Sequence, residues 1–79
     1  MSLPIAVRVG RRLQELRAKR GLSQTQLSDM TGINRSHLSQ IENGVYAAKL
    51  DTLHELAKAL GMTLEQLFKG FFPCWKLQT

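Results

Sequence analysis

The chain has little with which to build cross-links. It contains one cysteine, Cys74. A single thiol cannot close an intrachain disulfide, and no cysteine-based zinc site can be assembled from it. That usage fits a reducing compartment. No apolar run is long enough to span a bilayer. The opening MSLPIAVRVGRR does not read as a secretory signal, because arginines follow the short apolar stretch instead of preceding it. The cytoplasm is therefore the expected location, with no membrane partner. No segment alternates apolar and polar residues over the length of a strand, so no strand is expected. Repeats, low-complexity tracts and a phosphate-cradling glycine loop are absent from the sequence as well. Acidic residues are scarce: 6 Asp and Glu stand against 11 Lys and Arg, for a formal net charge of +5.

What is present makes one small domain. Seventy-nine residues with 43% apolar content can fold around a single modest core. The basic balance favours a polyanionic partner, nucleic acid or an anionic membrane, although solubility alone makes many small proteins basic.

Glycines punctuate the chain at Gly21, Gly32, Gly44, Gly61 and Gly70, each after a helix-like segment. The spacing predicts about five short helices in an all-α bundle. The first runs from near Pro4 to Arg20, with Ile5, Val9, Leu13 and Leu16 on one stripe and Arg8, Arg11, Arg12, Arg17, Lys19 and Arg20 on its other faces. Gly10 inside it weakens the helix modestly. Ser23 and Gln26 open a second helix as a capping box, and Thr63 and Gln66 open a fifth in the same way. Asn34 is a good N-cap for the third. The fourth covers roughly Leu50 to Leu60, with Leu50, Leu53, Leu56, Ala57 and Leu60 inward. Residues 1–69 form this bundle, and residues 70–79 form an aromatic tail in which Pro73 interrupts any continued helix.

The segment from Gln24 to Asn43, QTQLSDMTGINRSHLSQIEN, carries the most information. It is laid out as helix, tight turn, helix. Leu27 anchors the first helix, and the small Ser28 allows a second helix to cross close by. Gly32 supplies the turn, because glycine takes a left-handed conformation without steric cost. Ile33, Leu38 and Ile41 point inward, leaving Arg35, Ser36, His37, Ser39 and Gln40 on the outside. An ordinary solvated helix face has such residues too, but the surrounding anchors make it the hydrogen-bonding face that a helix-turn-helix places in the DNA major groove.

The run GLSQTQLSDMTGINRSHLSQIENG, followed by LDTLHELAKALGMTLEQLF, resembles the Cro/C1-type helix-turn-helix proteins, also called the Xre family. The resemblance covers roughly Ile5 to Phe68. It implies a lambda-repressor-like five-helix bundle whose third helix reads the major groove, and a homodimer on a near-palindromic operator. Carried onto matching positions, it makes Arg35, Ser36 and Gln40 base contacts, arginine suiting guanine and glutamine suiting adenine as bidentate pairs. Gln24, His37, Ser39 and Asn43 become contacts to the DNA backbone, Gln24 also bracing the recognition helix, and Tyr46 in the loop that follows is expected to donate one hydrogen bond to a phosphate. Arg17 and Glu42 match a pair that braces the recognition helix. The loop Val45-Tyr46-Ala47-Ala48-Lys49 departs from the pattern. Only one lysine remains, and Ala48 stands where proline is common, so fewer phosphate contacts are expected there.

The expected function is a double-stranded DNA-binding transcriptional regulator, acting as a homodimer. The alternative is an antitoxin or adaptor whose tail captures a partner protein, with DNA binding secondary. Leu67, Phe68, Phe71, Phe72 and Trp75 are the expected dimer interface, because aromatics anchor interfaces. A tail folded back over its own core, a tail that docks on another protein and, ranked last because the tail is short and carries only Lys76, an amphipathic membrane anchor are the other readings. No enzyme is expected: His37, His54, Asp51, Glu55 and Cys74 suggest neither a triad nor a metal site. No cofactor and no metal are implied. The operator, the regulated genes, the sign of regulation and any inducer are not encoded legibly.

Overall fold

The structure is a computed structural model, and it describes residues 4–69. Five helices follow one another: α1 (Ile5–Lys19), α2 (Gln24–Thr31), α3 (Arg35–Glu42), α4 (Leu50–Ala59) and α5 (Leu64–Leu67). Every regular element among the described residues is helical, as the missing alternation predicts.

Local chemistry sets the helix starts. Ser23 Oγ accepts from the Gln26 amide at 3.0 Å, and Gln26 Oε1 accepts from the Ser23 amide at 2.8 Å. The same reciprocal pair forms between Thr63 and Gln66, at 3.1 and 3.0 Å. Asn34 Oδ1 accepts from the Ser36 amide at 2.8 Å and opens α3. Each such cap is worth about 1 kcal/mol.

The core is built from Val9, Leu13 and Leu16 of α1, Leu27 of α2, Leu38 and Ile41 of α3, Leu53, Leu56, Ala57 and Leu60 from the α4 region, and Leu67 of α5. Helix α1 packs on α3, α2 packs on α3 and α4, and α4 packs on α5. Burial of each leucine contributes about 1.5–3 kcal/mol before chain entropy is counted.

Three apolar side chains lie elsewhere than their sequence positions suggest. Leu50 is 66% exposed and Ile5 is 49% exposed. Both lie on the inward stripe of their helices but in the first turn, one turn beyond the last core residue, so the stripe outruns the core. Leu67, expected at a dimer interface, is fully buried against its own domain. A side chain enclosed by the core of its own domain has no surface to offer a second copy, and that assignment is withdrawn. Phe68 is half-buried and packs at the edge of the same core. Phe71, Phe72 and Trp75 lie outside the described residues.

The arginines of α1 are not simply a solvated face. Arg12 Nε donates to the Leu67 carbonyl at 3.2 Å, and Arg20 Nε donates to the Leu60 carbonyl at 2.8 Å. These carbonyls close α5 and α4, where a cation complements the partial negative charge of a helix C-terminus. Gly10 proves to be a contact point. A Cβ there would lie 2.5 Å from the carbonyl oxygens of both Ile41 and Glu42. Glycine therefore lets α1 lie directly on the end of α3.

Candidate nucleic-acid interface

Helix α2, the turn and α3 form a connection whose backbone groups are largely satisfied from within. Gly32 takes φ 76°, and its amide donates to the Ser28 carbonyl at 2.8 Å. Thr31 Oγ1 donates to the Leu27 carbonyl at 2.9 Å and accepts from the Ile33 amide at 3.2 Å. Ser28 Oγ donates to the Ile33 carbonyl. Ser28 is thus more than small: its hydroxyl ties the turn to the helix before it.

Helix α3 has two unlike sides. Leu38, Ile41 and Glu42 are buried, at 0%, 1% and 1% exposure. Arg35, Ser36, Gln40 and the following Asn43 are exposed, with His37 and Ser39 half-buried. With 3.6 residues per turn, Ser36, Ser39, Gln40 and Asn43 fall on one side and the buried trio on the other. Arg35 and His37 flank the outer side on opposite edges. Arg35, Ser36 and Ser39 together line an open depression of about 400 Å³. Ser39, which the resemblance assigns to the DNA backbone, thus shares a surface with Arg35 and Ser36. Gln40, assigned with those two to bases, leans to the opposite edge. Asn43 Nδ2 donates to Ser39 Oγ at 3.4 Å. At the far edge the His37 ring meets the Tyr46 ring edge-on, with centroids 4.6 Å apart and planes at 69°. That contact joins α3 to the loop after it.

Glu42 holds α3 in place. Its Oε2 accepts from Arg17 Nε at 2.8 Å, and its Oε1 accepts from Arg17 Nη2 and Gln24 Nε2, both at 3.0 Å. Arg17 also donates through Nη1 to the Leu22 carbonyl at 2.9 Å. The Glu42 carbonyl accepts from Gln14 Nε2 at 3.0 Å. One buried carboxylate therefore ties α1, α2 and α3 together. Its geometry is the bidentate fork for which arginine is suited. Gln24 is half-buried, and its side-chain amide is engaged with Glu42. Sequence reasoning finds the Arg17–Glu42 pairing and a bracing role for Gln24 only through the resemblance, without naming Glu42 as the partner of Gln24, and it misses the Gln14 bond.

The comparisons with known proteins agree with this geometry. The HTH_3 helix-turn-helix family pattern matches residues 13–67. The chain belongs to the Cro/C1-type helix-turn-helix family. It is 37% identical over 65 residues to the control protein C.MunI of a Mycoplasma species, covering 81% of this chain and 88% of that protein. It is 36% identical over 59 residues to the HTH-type transcriptional regulator PuuR of Escherichia coli K12. That match covers 75% of this chain but only 32% of PuuR, so the chain spans about a third of that regulator's length. Among solved structures, the restriction-modification controller protein C.AhdI of Aeromonas hydrophila superposes with a TM-score of 0.77 at 38% identity, covering 80% of this chain and 96% of C.AhdI. These three are a transcriptional regulator and two controller proteins by name, and a putative antitoxin, HigA2 of Mycobacterium tuberculosis, is 42% identical over 55 residues, covering 68% of this chain and 54% of that protein. Among the described residues no helix is long and apolar enough to cross a membrane, and no group of three His, Cys, Asp or Glu stands where it could hold a metal ion.

Proposed function

We propose that this helix-turn-helix protein is a sequence-specific, double-stranded DNA-binding transcriptional regulator that acts in the cytoplasm as a homodimer on a near-palindromic operator. The observation that carries the reading is the outer side of α3. It presents exposed Arg35, Ser36 and Gln40 and the half-buried Ser39, on a helix whose inner side is locked by Leu38, Ile41 and Glu42. A helix held rigidly from behind, with donors and acceptors in front, suits the major groove.

In this reading Arg35 and Gln40 read base edges from the two margins of the helix. Ser36 contacts a base beside Arg35, and Ser39 shares their depression and reaches either base or phosphate. His37, Asn43 and Tyr46 contact the backbone. Gln24 does so with its second amide hydrogen while the first braces Glu42. The +5 charge supplies sequence-independent attraction to the phosphates. Two recognition helices in a dimer would lie about 34 Å apart, one turn of DNA.

Selection of bound duplexes from a random DNA pool, at roughly physiological salt to suppress phosphate-only binding, tests the reading. A near-palindromic motif with half-sites about one helical turn apart is the expected result. A pool that stays random after repeated selection, while the protein still retains DNA at low salt, would reduce the activity to non-specific binding.

A further inference from the structure

The hydroxyl groups of the helix-turn-helix are not all used alike. Ser28 Oγ donates to the Ile33 carbonyl, and Thr31 Oγ1 donates to the Leu27 carbonyl at 2.9 Å. The fold consumes both of those hydrogens. Ser39 differs. Its Oγ accepts from Asn43 Nδ2 at 3.4 Å, and no acceptor for its own hydrogen stands among the described residues. A hydroxyl has one hydrogen to donate and two lone pairs to accept with. On Ser39 a lone pair is taken, so the hydrogen is what remains to be offered. Helical serine and threonine can return that hydrogen to the carbonyl four residues back. Thr31 does so with Leu27, whereas Ser39 makes no such bond to Arg35.

We propose that Ser39 is a specificity-determining residue, which donates its hydroxyl hydrogen to an acceptor on a base edge in the major groove. The proposal rests on the DNA-binding reading above, and it separates Ser39 from the backbone contacts with which the resemblance groups it. Two observations favour a base over a phosphate. The first is the shared wall. Ser39 is half-buried and lines the open depression of about 400 Å³ together with Arg35 and Ser36. A base edge that meets Arg35 there also meets Ser39. The second is direction. Asn43 holds Oγ from the C-terminal side, so the hydrogen points away from Asn43, toward the side on which Arg35 and Ser36 stand.

A donor in that place can meet guanine N7 or O6, adenine N7 or thymine O4, whereas cytosine presents only its amino hydrogens in the major groove. Ser39 therefore selects against cytosine on the strand it faces. Four residues of α-helix rise about 6 Å. That is just under two steps of about 3.4 Å along a DNA strand. The pair read by Ser39 thus lies within two base pairs of the one read by Arg35.

The test is selection from a random duplex pool, run in parallel on the full wild-type chain, Ser39→Ala, Ser39→Thr and Arg35→Ala. Alanine is the best helix former, so Ser39→Ala should keep its fold, and thermal unfolding checks this. In the wild-type motif one position is expected to exclude cytosine. In Ser39→Ala that position alone is expected to admit all four bases. Affinity for the wild-type operator should fall about two- to tenfold, the loss of one hydrogen bond, with no fall on duplexes that carry cytosine there. Ser39→Thr keeps the hydroxyl and should keep the preference. The position that relaxes in Arg35→Ala should stand within two base pairs of it. A Ser39→Ala motif unchanged at every position would overturn the proposal, and a uniform fall in affinity across sequences would return Ser39 to the phosphates. A wild-type chain that selects no motif would instead defeat the sequence-specific reading itself, and base reading by Ser39 with it.

Discussion

The two sides of α3 differ in what they ask of their residues. On the inner side, Leu38 and Ile41 are enclosed by the core, and Glu42 accepts from Arg17 twice and from Gln24 once. Every polar atom there has a partner, and no buried side-chain nitrogen or oxygen among the described residues is left without one. On the outer side, Arg35, Ser36 and Gln40 stand in solvent. The same eight-residue helix thus has one side determined by folding and another that folding leaves exposed. Buried polar groups are costly when unpaired, so the inner side tolerates little change. Surface side chains away from such networks change stability by about 0.5 kcal/mol or less.

Substitutions can sharpen or break this contrast, beginning with the largest expected effect. Glu42→Ala strands Arg17 and Gln24 beneath α3, and removal of one partner of a buried ion pair costs about 3–5 kcal/mol. Urea denaturation would read this as a lowered midpoint, and a midpoint near wild type would mean that the brace is ornamental. Gly10→Ala places a methyl group 2.5 Å from two α3 carbonyls. Overpacking of that kind costs about 1–3 kcal/mol, and the same denaturation experiment measures it.

The outer side should behave in the opposite way. Arg35→Ala and Gln40→Ala are each expected to weaken operator binding by about 1–3 kcal/mol and to relax preference at one base pair. Thermal unfolding of both variants should stay close to wild type. Equal loss of stability and affinity would erase the distinction between the two sides. The smallest effect is expected for Tyr46→Phe, which keeps the ring beside His37 and removes only the hydroxyl. A loss of about 0.5–1.5 kcal/mol in DNA affinity corresponds to one hydrogen bond, and fluorescence anisotropy with a labelled operator resolves it.

Much of the architecture is legible in the sequence because its signals are local. Ser23 with Gln26 and Thr63 with Gln66 state helix starts within four residues, and both boxes form. Val9, Leu13 and Leu16 mark the buried side of α1 by spacing alone. Periodicity tells which side of a helix faces inward but not where the core ends, and for that reason Ile5 and Leu50 emerge into solvent. Gly10 is only half legible for a related reason. Its cost to the helix is local and visible, whereas its benefit depends on α3 lying across it. The carbonyls capped by Arg12 and Arg20 lie 55 and 40 residues away, beyond any reading of pattern. At the site, the outward residues of α3 follow from the turn and the anchors around it. The grouping of Ser39 with Arg35 and Ser36 follows from their three- and four-residue spacing on one helix, whereas the direction in which that face is turned depends on how α3 is rolled, and Glu42 with its partners fixes that.

Gly10 has one further consequence, for how such a protein can change over time. The contact it permits is backbone against backbone, so the seat of α3 against α1 does not depend on which outward side chains α3 carries. Positions 35, 36, 39 and 40 can be exchanged while the seat stays the same. A library randomised at those four positions should yield mostly folded proteins with altered addresses on DNA, whereas one randomised at positions 10 and 42 should yield mostly chains that do not fold. The domain separates the inheritance of a shape from the inheritance of a preference.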